Sequence, residues 1–155
     1  MNIINWLCKI LGCTPNRPKV HIGTITEKSD AWVSEMLHPL NIKHLALDTK
    51  YYLASEEDFL GIIAWDWVDS LDYIPEVWDC ENFAFLFQAH VALYYGLNQV
   101  ATVLDYSAGH AYNLVLFGNK RYVFEPQTDG LVWQELSDEA FQRLTKIGDD
   151  DYILI

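Results

Sequence analysis

The sequence predicts an α+β fold, on three patterns. Apolar residues recur at helical spacing between about Asp30 and Asp69, a long apolar stretch follows Asp79, and alternating apolar and polar stretches fill the second half. Together they predict an N-terminal helical half and a central buried helix packed on an antiparallel sheet. With 155 residues the chain is long enough for one domain with a real core.

Each element has its own signal. Asp30 is placed to cap a helix over Ala31 to Leu37, and Ser55 with Asp58 opens another through Phe59, Ile62, Ile63 and Trp67. Asp79 is placed to cap a helix from Cys80 to Tyr95, with Gly96 as its left-handed stop. Phe83, Ala84, Leu86, Phe87, Val91, Ala92 and Leu93 wrap nearly all sides of that helix, so it is expected to be buried. Strands are expected at Gln99 to Tyr106, His110 to Phe117, Lys120 to Glu125 and Leu131 to Glu135. Ser137 is placed to cap a helix near Asp138 to Lys146, and Tyr152 to Ile155 reads as an edge strand.

Residues 1–18 read as an amphipathic helix and linker, ahead of a main domain over residues 19–155. Ile3, Ile4, Trp6, Leu7, Ile10 and Leu11 recur at helical spacing, and Thr14-Pro15-Asn16-Arg17-Pro18 forms the turn or linker. A secretory signal would place basic residues before the apolar run, whereas Lys9 sits inside it, and the run is too short to span a bilayer. Ile10-Leu11-Gly12-Cys13 loosely matches a lipoprotein cleavage pattern but lacks its basic segment. The helix is expected to pack on the domain or on a protein partner.

A net charge of −12 argues against nucleic-acid and acidic-membrane partners, since phosphate binding needs a basic surface. Six Trp and nine Tyr argue against disorder and for a packed domain. The three cysteines, Cys8, Cys13 and Cys80, are an odd and sparse set. They suit free thiols in a reducing compartment, and the expected location is cytoplasmic, or the virion if a phage encodes the chain.

Cys80 at a helix start, His110 on a later strand and Glu125 on the next are the parts of a cysteine nucleophile, its base and its orienting group. A helix N-terminus and a neighbouring imidazolium both favour thiolate. A two-residue turn at Gly118-Asn119, with glycine first as type II′ prefers, pairs Phe117 with Lys120. That register sets Tyr112 opposite Glu125, gives Glu125 the face of His110, and lays Gln127 across from His110. Either acceptor could then fix the imidazole tautomer. The bland alternatives are a core cysteine, a satisfied strand histidine, and loop polar groups before a proline-marked turn. His21, His38, His44 and His90 lack ligand spacing, and His90 reads as a packed core residue. Asp66, Asp69, Asp72, Glu76, Asp79 and Glu81 gather near the helix mouth, where a solvated acidic face or a calcium-type cation would account for them.

The runs Asp79-Cys80-Glu81-Asn82-Phe83-Ala84, Gly109-His110-Ala111-Tyr112-Asn113 and Glu125-Pro126-Gln127 resemble the C-terminal domain of the fairy-ring mushroom agglutinin and its bacterial and phage relatives, the MOA-related lectins. The upstream run from Tyr51 through Asp58-Phe59 to Tyr73 is similar as well, so the resemblance covers about residues 45–135 without the sugar-binding trefoil. It implies a papain-like fold and a cation-dependent cysteine protease acting on a peptide or protein, with Cys80 as nucleophile, His110 as base, Glu125 as orienter and Gln127 as a further active-site position. The acidic cluster at the helix mouth offers calcium as that cation, with Asp79 and Glu81 as candidate ligands. The order of motifs is also similar to the transglutaminase-like superfamily, which would pass the acyl group to an amine. One departure stands out: papain-type enzymes place an oxyanion-binding Gln about six residues before the nucleophile, where this chain has Ile74. The oxyanion hole is thereby left unassigned, with the Cys80 N–H as one candidate donor and Tyr73, Trp78 or Gln127 as candidates for a second. Against the enzyme stands a catalytically silent module that keeps the fold and holds a partner, as a phage component or otherwise.

Overall fold

The computed structural model describes residues 20–128, 134–135 and 151–155. The elements run β1 (Thr26–Ser29), α1 (Asp30–Leu37), β2 (Lys43–Leu45), β3 (Lys50–Leu53), α2 (Glu56–Ala64), α3 (Cys80–Tyr95), β4 (Val100–Asp105), β5 (His110–Phe117), β6 (Lys120–Phe124), β7 (Gln134–Glu135) and β8 (Tyr152–Leu154). Six strands form one sheet in the order β2-β8-β4-β5-β6-β7, with β2 and β8 parallel and the other pairs antiparallel. The architecture is α+β and papain-like, with a central helix on the sheet.

Helix ends follow the expected chemistry with local shifts. Ser29, not Asp30, caps α1, its hydroxyl accepting from the Trp32 N–H at 3.3 Å. Ser55 caps α2 through the Asp58 N–H at 3.1 Å, but α2 stops at Ala64 and leaves Trp67 outside. Asp79 and Asn82 face each other as a capping box at the start of α3, and Gly96 ends it at φ +67. The Asp79 N–H donates to Asn82 Oδ1 at 3.2 Å. The β5–β6 turn has the expected register, Phe117 opposite Lys120, with positive φ at Gly118 and not at Asn119, the type II′ pattern.

The first half is less helical than its periodicity predicts. β1 and β3 pair with each other as a separate antiparallel ribbon, and β2 enters the main sheet. The C-terminal strand is not an edge: β8 lies between β2 and β4, bonded on both sides. Residues 131–133 of the strand expected ahead of Glu135, the helix expected near Asp138 to Lys146 and residues 1–18 lie outside the described residues. No helix among the described residues is long and apolar enough to cross a membrane.

Alternation along β5 divides the core in two. Tyr112, Leu114 and Leu116 join Val33, Leu37, Tyr51 and Ile153 on the face of α1, whereas Val115 and Phe117 join Phe59, Phe83, Phe87 and Phe124 on the face of α2 and α3. Buried Asn113 lies on the α3 side and donates from Nδ2 to Ala84 O at 3.0 Å and to Ala101 O at 3.2 Å, tying helix to sheet. Replacing it (Asn113→Ala) removes both bonds inside the core and is expected to cost about 2 kcal/mol, read as a lower urea midpoint at unchanged slope.

Candidate functional site

The first turn of α3 and the β4–β5 turn form the two walls of a cleft of about 420 Å³, lined by Cys80, Glu81, Phe85, Tyr106, His110 and their neighbours. The helix wall is fixed from below by a tight turn: Trp78 N donates to Ile74 O at 2.8 Å, and Glu76 N donates to Asp79 Oδ2 at 3.1 Å with Glu76 at φ +62. The strand wall is fixed by carboxylates. Asp105 accepts from the Ser107 hydroxyl and the Ala108 N–H, each at 2.8 Å, and Asp151 Oδ1 accepts from Tyr106 N at 2.7 Å.

Within this frame His110 Nε2 lies 2.6 Å from Glu125 Oε2. The Glu125 hydrogen bond raises the His110 pKa above its ordinary value, against a smaller lowering by burial, with the Glu125 and Asp105 charges adding to the rise. Gln127 meets this pair differently from the extrapolated register. Regular β6 ends at Phe124, and Gln127 sits in the following turn, where its backbone N–H donates to Glu125 Oε1 at 3.2 Å.

Cys80 does not share that network. Its thiol donates to Glu81 Oε2 at 3.7 Å, and among the described residues no hydrogen bond joins it to His110. Both side chains nonetheless line the same cleft, Cys80 from the helix wall and His110 from the strand wall. Burial pushes the Cys80 thiol above its ordinary pKa; the Glu81 and Asp79 charges push the same way, and the backbone N–H of Ala111 opposes them. The helix terminus was expected to lower this pKa. The surrounding carboxylates and partial burial reverse the sign.

The remaining candidates take structural posts. Tyr73 stacks on Phe83 at 6.5 Å and Trp78 tilts against the same ring at 6.1 Å, both outside the cleft lining. Asp79 is engaged in the helix cap and Glu81 accepts from the thiol. Among the described residues no three His, Cys, Asp or Glu side chains are grouped to hold a metal ion. Asp66 leaves the acidic cluster altogether. Its carboxylate is buried 3.1 Å from His90 Nδ1 and accepts from Trp67 N and Val68 N. Nearby, burial pushes the Tyr95 hydroxyl up to about 12, with Asp66 adding. The sequence signal for this pair was the one histidine inside an apolar helix.

No protein-family model and no curated protein matches the chain by sequence. Solved structures do match in shape. A Polyporus squamosus lectin bound to the epitope Neu5Aca2-6Galb1-4GlcNAc superposes at a TM-score of 0.60 and 22% identity, over 83% of this chain and 49% of that one. A PSL1a–E64 complex superposes at 0.61 and 20% identity, over 83% and 51%. The chain shares their fold. It spans about half the length of each, and at this identity the likeness carries the fold alone. The expected cysteine peptidase, with its acyl-transferase variant, is corrected at the site itself. The Cys80 thiol donates to Glu81 Oε2, burial raises its pKa, and among the described residues no hydrogen bond pairs it with an imidazole.

The His110–Glu125 pair gives a pH-dependent outcome with a definite sign. Because the folded pKa of His110 is raised, the pair's contribution to stability is fully present below the unfolded value of about 6.5 and is lost as pH rises through the higher folded value. The imidazole resonances should titrate above 6.5 and return toward it in Glu125→Gln, as NMR titration would read; an unmoved midpoint in the variant would rule out Glu125 as the cause.

Proposed function

We propose that the chain is a catalytically silent papain-like module that holds a partner in the cleft beside Cys80 without turning it over. The observation carrying this reading is the hydrogen bond from the Cys80 thiol to Glu81 Oε2, with none to an imidazole among the described residues. A thiol nucleophile at neutral pH needs a depressed pKa or an adjacent base, and here burial raises the pKa and no imidazole is hydrogen-bonded to the thiol among the described residues.

The cleft keeps the features of a binding surface. Phe85 and Tyr106 stand at its rim with 41% and 65% of their surface exposed, and rigid aromatic side chains give contact area at small entropic cost. Glu81 beside them supplies an acceptor for a hydrogen-bond donor. An extended polypeptide segment with an apolar side chain and a basic or amide neighbour fits this pattern, and the net charge of −12 favours a basic partner during encounter.

Thiol labelling tests the silent reading. With Cys8 and Cys13 replaced by serine, iodoacetamide should label Cys80 with a midpoint no lower than the ordinary thiol value of about 8.5, and His110→Ala should leave the profile unchanged. Fast labelling below neutral pH that disappears in His110→Ala would overturn the proposal.

A further inference from the structure

On the other flank of α3 lies a second concave surface, a groove of about 510 Å³ lined by Trp67, Leu71, Asp72, Ile74, Trp78 and Leu86. Its lining and its neighbours are unusually open for apolar residues: Trp67 is 43% exposed, Ile74 49%, Tyr73 52% and Val77 69%. An apolar surface of this extent on one segment marks a contact site. Asp69, Asp72 and Glu76 are exposed along the same segment, so any occupant must be apolar on one side and cationic on the other.

The chain carries such a segment. Residues 1–19 contain Lys9, Arg17 and Lys19 and no acidic residue, in a chain whose net charge is −12. Their apolar positions Ile3, Ile4, Trp6, Leu7, Ile10 and Leu11 fall on one stripe at helical spacing, with Lys9 on the far side. The place where this segment joins the fold is also suitable. Val20 lies over α2, its Cγ1 3.2 Å from where a Cβ on Gly61 would stand, and Gly23 N donates to Asp58 Oδ2 at 3.1 Å. Val20 and Ile22 pack on the same apolar cluster that Leu71, Trp78 and Leu86 join from the groove side. Gly61 stands about one turn before the end of α2, and Trp67 follows three residues after that end. Residues 12–19 can span roughly 26 Å when fully extended.

We propose that the groove between Trp67 and Trp78 is the seat of the chain's own residues 3–11, held by the apolar stripe and by Lys9, Arg17 and Lys19 against the acidic rim. This is independent of what the Cys80 cleft binds. The acidic surface disfavours a second copy approaching as a whole, whereas the tethered segment is always nearby.

A spin label on Cys8, in the full chain with Cys13→Ser and Cys80→Ser, tests it. The Trp67 and Trp78 indole signals and the Ile74 amide signal should be lost to paramagnetic broadening, while β4 signals remain. Leu7→Glu on the segment and Ile74→Lys, at an exposed position of the groove, should each restore them. Signals that persist in the labelled chain would overturn the proposal. So would broadening that arises only between chains, seen when spin-labelled protein at natural isotopic abundance is mixed with isotope-enriched protein lacking the spin label.

Discussion

Asn113 fastens α3 to the sheet, and the position of the whole cleft depends on that bond. Apolar contacts between Phe83, Phe87, Val115 and Phe124 supply most of the attraction, but such contacts tolerate sliding. A buried amide donating at once to Ala84 O in the helix and Ala101 O in the strand does not. Further along α3, the Thr102 hydroxyl donates to Gln88 Oε1 at 2.8 Å, and Gln88 Nε2 reaches Leu154 O at 3.3 Å. These polar contacts set the helix against β4, β5 and β8, and so set its first turn against the end of β5.

At that first turn two demands on the helix terminus compete. The partial positive charge there would stabilise a thiolate, and it equally stabilises carboxylates. Asp79 and Glu81 take the place: one belongs to the capping box that begins the helix, the other lies beside the sulfur. Their charge, added to burial, outweighs the Ala111 N–H and keeps the proton on Cys80. The imidazole that would shift the balance lines the same cleft, hydrogen-bonded to Glu125 and, among the described residues, not to the sulfur. Helix initiation and nucleophile activation thus draw on the same field, and here initiation prevails.

Local chemistry made α3 and the β5–β6 hairpin legible in the sequence, because Asp79, Gly96 and Gly118 each act through their own backbone geometry. The same hairpin register made the His110–Glu125 pairing legible. What escaped was non-local. The four-residue strands β1 and β3 exist only by pairing with each other, and β8 is interior only because β2, more than a hundred residues away, pairs alongside it. Gln127 was misplaced because extrapolating a register past Phe124 ignores the turn that Pro126 begins. The sign of the Cys80 shift was illegible for a similar reason. Spacing places a thiol at a helix mouth, but only packing decides which neighbour faces it.

Phe85 and Leu86 are consecutive on α3, about 100° apart around its axis, and that step divides the Cys80 cleft from the Trp67–Trp78 groove. Phe85 closes the cleft beside Cys80, and Leu86 closes the groove beneath Trp67 and Trp78. The turn from Ile74 to Asp79 serves both, since Ile74 and Trp78 line the groove while Asp79 begins the helix that carries Cys80. An occupant of the groove therefore presses on the segment that sets the cleft wall, and the Asn113 bridge holds the helix rigid beneath both. A rigid shared wall lets each surface be filled without reshaping the other, as the proposed partner-holding role of the cleft requires.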